Sequence, residues 1–76
     1  MSVIIMSTDH KIHQSYICKN TEKFSRLEEI LYKDAPDYMD SDIYFCVNGN
    51  VVKRYKTLKE NNIHNSDIIM LNKREF

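Results

Sequence analysis

One glycine, one proline and two cysteines in 76 residues leave this chain few means of building tight loops or covalent staples. A lone glycine offers no glycine-rich loop to cradle a phosphate or to shape an oxyanion hole. Cys18 and Cys46 have neither a metal-binding spacing nor the pattern of a small secreted disulfide framework. They read as small hydrophobes in a reducing compartment. An excess of one charge is also missing, since eleven basic side chains balance eleven acidic ones. That balance argues against nucleic acid or an anionic membrane as the partner. Long hydrophobic runs are absent as well. The N-terminal stretch Val3-Ile4-Ile5-Met6 is four residues, where a membrane span needs roughly 18, and no basic region precedes it. The expectation is a protein inside the cell, in cytoplasm or nucleus.

What is present fits a single domain over residues 1–76, with 42% apolar and 29% charged residues. Ser2 to Ser7 is rich in β-branched residues and stops at the polar cluster Thr8-Asp9-His10-Lys11. Lys11 to Cys18 resumes as a half-exposed strand carrying Ile12, Tyr16, Ile17 and Cys18, so a hairpin is expected. Phe24, Leu27 and Leu31, with Ile30 flanking, then line one face of a helix over about 21–33. Asn20 or Thr21 is the expected cap, and Glu22/Arg26 and Glu29/Lys33 are the expected surface pairs. Pro36 ends it. Ile43 to Val47 alternates as a third strand and runs into Asn48-Gly49, the strongest hairpin signal in the chain. Asn50-Val51-Val52 is a short fourth strand. Lys53 to Asn65 is a polar loop pinned by Leu58 and Ile63, and Ile68-Ile69-Met70-Leu71 is the last strand. The class expected is α+β, a mixed sheet of four or five strands with one helix packed across one face.

This order resembles that of the ubiquitin-like β-grasp family. Asn48-Gly49 after Phe45-Cys46-Val47 resembles the family's third strand and tight turn. Thr57-Leu58, three residues and Asn62-Ile63 resemble its anchored surface loop, and Asp67-Ile68-Ile69-Met70-Leu71 resembles its final strand. The helix ended by Ala35-Pro36 falls where the family's helix does. The resemblance covers nearly the whole chain and implies a domain that binds proteins, of the kind found in proteins that meet proteasome, ubiquitin-ligase or segregase-type partners. Departures qualify this. The terminal Asn72-Lys73-Arg74-Glu75-Phe76 has no Gly-Gly for covalent attachment or sulfur carriage, and Asn50 stands where ubiquitin has its best-known chain-linking lysine. Two cysteines cannot hold the cluster of a β-grasp ferredoxin. A modifier lacking its Gly-Gly in this form, and a scaffold subunit outside the ubiquitin pathway, are the alternatives.

By alternation, Phe45, Val47, Ile69 and Leu71 point to the helix, while Tyr44, Cys46, Met70 and Asn72 point outward. The resemblance implies a partner-binding patch of Tyr44, Cys46, Met70 and Asn72, with Ile68 at the rim and His10 in the first turn. The histidines at 10, 13 and 64 lack supporting ligands for a metal. No cysteine has the histidine and orienting group that a nucleophile requires. A binding protein is expected rather than an enzyme, monomeric and without cofactor or metal. Lys53, Arg54, Lys56 and Lys59 beside Tyr55 read as a solvated basic loop first and a binding surface second. Asp37-Tyr38-Met39-Asp40-Ser41-Asp42 resembles, faintly and in a shifted position, the acidic motif of PB1 domains.

Overall fold

Three strands of alternating burial, β1 (Ser2–Ser7), β3 (Ile43–Val47) and β5 (Ile68–Lys73), form the centre of the sheet. In the computed structural model, which describes residues 1–39 and 41–74, β2 (His13–Ile17) and β4 (Asn50–Val51) complete five strands in the order β2-β1-β5-β3-β4. β1 and β5 run parallel, and the other neighbouring pairs are antiparallel. β1 and β5 are the first and last of these strands, so the parallel pair is closed by everything between them, the helix included. The result is a mixed α+β sheet of β-grasp type.

The two hairpin turns are made differently. Asn48 at φ 50° and Gly49 at φ 81° supply two successive left-handed residues, as a two-residue hairpin turn demands. The β1–β2 turn lacks that dipeptide and substitutes side chains. The Ser7 hydroxyl donates to Asp9 Oδ1 at 2.6 Å and accepts the Ile12 N–H at 2.9 Å, while Asp9 Oδ1 also takes the Lys11 N–H at 3.1 Å. These bonds, with the Ser7 hydroxyl first, hold the Asp9 carboxyl below its ordinary pKa.

Helix α1 (Phe24–Asp34) starts later than the sequence suggests, and neither Asn20 nor Thr21 caps it. Lys23 is the N-cap and makes no side-chain cap bond. The orphan N–H groups of Phe24 and Ser25 go instead to the carbonyls of Lys56 and Arg54, at 3.0 and 3.1 Å. A distant loop replaces the local cap. The surface pairing differs too: Arg26 meets Glu29 at 3.5 Å, and Glu22 accepts the Lys19 N–H. After the helix, a short 3-10 turn (Pro36–Tyr38) buries Tyr38; Asp40 of the acidic segment lies outside the described residues.

The core fills the space between α1 and one sheet face. Phe24, Leu27 and Leu31 from the helix meet Val3, Ile5, Phe45, Ile69 and Leu71, all within 1% of complete burial. Phe24 and Phe45 pack edge to face with centroids 4.9 Å apart. Leu58 and Ile63 anchor the long loop from below, as expected. Within that loop, Thr57 and Glu60 exchange reciprocal bonds in the manner of a capping box. Asn61 ties the rest: its Oδ1 accepts the Lys53 N–H, and its Nδ2 donates to the carbonyls of Lys53, Lys56 and Thr57.

Candidate functional site: the outer face of the sheet

A strand sends alternate side chains to opposite faces, so a sheet covered by one helix has a second face to account for. The strand registers lay that face out in rows. One row crosses all five strands as His13, Met6, Met70, Cys46 and Val51. On one side of it, Ile4 and Ile68 stand opposite each other; on the other side, Asn72 faces Tyr44. Ile4, Met6, Cys46 and Met70 are half-buried by their neighbours alone, and Val51 and Ile68 are 58% and 47% exposed. Apart from His13 at the edge, these positions carry no ionisable group other than the Cys46 thiol and Tyr44 phenol. Apolar residues at neighbouring positions on four strands form a contiguous patch, which isolated surface hydrophobes do not.

Five of the six sequence-derived contact residues therefore share this face: Tyr44, Cys46, Ile68, Met70 and Asn72. Tyr44 carries Arg74 stacked at 5.1 Å from its ring, which sets a cation at that end. Asn72 turns its amide back to the Met70 carbonyl at 3.3 Å. His10 is different. It is exposed at φ 61° in the β1–β2 turn and bonds the Ser7 carbonyl through its own N–H. The adjoining Asp9 turns toward Tyr38 and Lys73, at 3.4 and 4.0 Å, so that turn's side-chain contacts lie on the helix side.

Ile4, Met6 and Val51 occupy the same face, beyond the residues expected there. The period of two carries the signal: Val3 and Ile5 are buried, so Ile4 and Met6 face the other way. Ile17, placed with the apolar residues of β2, is 90% exposed on the outer side opposite Ser2.

The basic stretch is also redrawn. Arg54 is no solvated loop residue: its Nη2 donates to the Ile43 carbonyl at 2.7 Å, and its guanidinium lies 5.3 Å from the Phe45 ring centre. Its Nε stands 3.2 Å from Glu28 Oε1, an ion pair whose N–H is not aimed along that line, so this oxygen keeps no hydrogen bond. The other Glu28 oxygen accepts the Tyr32 hydroxyl at 2.9 Å. Burial, then the bond to Glu28, pushes the Tyr32 phenol up to about 12.

No group of three or more His, Cys, Asp or Glu side chains able to hold a metal occurs among the described residues. Cys18 is buried, and desolvation raises its thiol above the ordinary value. An open cleft of about 480 Å³ lies between Asn20, Lys59, Asn62, Ile63, His64, Asn65 and Met1, an amide-rich and unenclosed surface. No described helix is long and apolar enough to cross a membrane. No protein-family model matches the chain, and no curated protein sequence matches it.

Proposed function

We propose that this chain is a ubiquitin-like domain that docks other proteins non-covalently through the outer face of its sheet, and that it acts as a binding module rather than a catalyst. One observation carries the proposal: Met6, Met70, Cys46 and Val51 stand side by side across four strands, with Ile4 and Ile68 beside them, and no described helix or loop packs over them. Two methionines and a cysteine give the patch a soft, adaptable surface. The element order, the Asn48-Gly49 turn and the Thr57–Ile63 loop support the family reading. Partners of ubiquitin-pathway type inside the cell fit it best, with the domain serving an adaptor or a similar larger protein.

Chemical-shift titration of the labelled chain with an amphipathic helical ubiquitin-binding peptide tests this. Shifts concentrated at Met6, Cys46 and Met70 are expected. Their failure to move at millimolar peptide would refute the patch.

A further inference from the structure

Away from the sheet face, the start of α1 and the long loop are sewn together into a seam. Lys23 pairs with Thr57 in an isolated bridge, Phe24 and Ser25 donate to Lys56 and Arg54, and Leu58 and Lys59 donate to Glu22 and Asn20, the last two at 2.9 Å. The seam carries Lys23, Lys53, Lys56 and Lys59, all exposed. Among the described residues, none of the four ammonium groups has a carboxylate within ion-pairing reach. Glu28 and Glu29 meet arginines. Glu22 and Glu60 accept the N–H groups of Lys19 and Thr57 and keep their charge, and Glu60 feels the ammonium groups of Lys56 and Lys23 from beyond ion-pairing distance. Four lysines against these two carboxylates leave a local excess of positive charge in a chain with no net charge. Tyr55, 88% exposed, stands in its middle, and the core makes no use of its ring.

We propose that this seam is a second docking surface, and that its occupant is an acidic polypeptide segment of a partner protein. Charge complementarity selects the occupant's sign, since lysine ammonium groups on a preformed backbone match a row of Asp and Glu. Lysine ammonium groups bind phosphate as well as carboxylate, so the choice of peptide over nucleic acid rests on the aromatic surface. One exposed ring is an anchor for a side chain, whereas successive bases need a series of aromatic platforms. The surface involves helix and loop only, so it stands whether or not the sheet face binds anything.

The test is fluorescence anisotropy of the full chain against a labelled Glu/Asp-rich peptide and, in parallel, a single-stranded oligonucleotide of matching length. Peptide binding should weaken with salt and fall at least about tenfold in the double variant Lys23→Glu/Lys56→Glu. Tyr55→Ala should weaken it by about threefold or more. The control Lys11→Glu/Lys33→Glu, on other exposed surface, should bind as the parent does. Circular dichroism of each variant establishes that the fold persists. Unchanged peptide affinity in the Lys23/Lys56 variant overturns the proposal, as does an oligonucleotide that binds more tightly than the peptide.

Discussion

The two faces of the sheet are made by the same strands from nearly the same kinds of residue, yet they have opposite fates. Val3, Ile5, Ile69 and Leu71 disappear under α1, while Ile4, Met6, Ile68 and Met70, their immediate chain neighbours, stay in contact with water. Apolar content alone therefore does not mark a core. A partner element does, and the described residues place α1 over one face alone. The sealed face has branched and aromatic side chains of well-defined shape, including the Phe24–Phe45 pair. The open face has two thioethers and a thiol, whose flexibility suits contact with surfaces that vary.

That contrast can be broken by experiment. The largest effect is expected at Phe45→Ala, which empties space beside Phe24 and beneath Arg54 and should cost about 3–5 kcal/mol in urea unfolding. Next comes Glu28→Gln, which keeps a partner for Tyr32 but leaves the Arg54 guanidinium without its countercharge. Because Arg54 reaches solvent, about 1–2 kcal/mol is expected by the same measurement. Met70→Glu on the open face should cost about 1 kcal/mol or less, while peptide docking followed by chemical shift should fall at least about tenfold. A stability loss at Met70 as large as that at Phe45 would mean that the outer face is structural after all.

The smallest effect concerns Tyr32. Its folded-state pKa of about 12 lies above the ordinary 10.0, so the protonated phenol is favoured by folding. The contribution is complete below pH 10 and is lost as pH rises through 12. Comparing the alkaline unfolding of the parent with that of Tyr32→Phe should show a steeper decline in the parent across that window. Identical slopes would dissociate Tyr32 from the Glu28–Arg54 pair.

Much of the architecture was legible because local signals and tertiary demands agreed. Phe24, Leu27 and Leu31 lie at helical spacing and all face the sheet, Asn48-Gly49 makes the turn its geometry favours, and Leu58 and Ile63 pin the loop. Where the reading failed, the missing information was non-local. The helix start was placed by capping chemistry at Asn20 or Thr21, but its donors are satisfied by carbonyls some thirty residues away. Arg54 looked like one of four equivalent cations because nothing in its immediate sequence reveals Glu28 beneath it. The candidate patch was legible on β3 and β5, where the family resemblance pointed to a contact surface and the period of two then divided each strand between its faces. On β1 both faces are apolar, so Ile4 and Met6 could be assigned only from the register.

A single carboxamide, that of Asn61, fastens the loop by giving its hydrogens to three carbonyl oxygens. Hydrolysis of that group to a carboxylate removes every donor and sets negative charge against those same oxygens. Stored or alkali-treated protein, or Asn61→Asp made directly, should then exchange the backbone hydrogens of Lys56 and Asn61, which bond the Lys53 and Thr57 carbonyls, faster while the central strands hold theirs. Slow chemistry at one surface atom would thus loosen the lysine-bearing loop and spare the sheet.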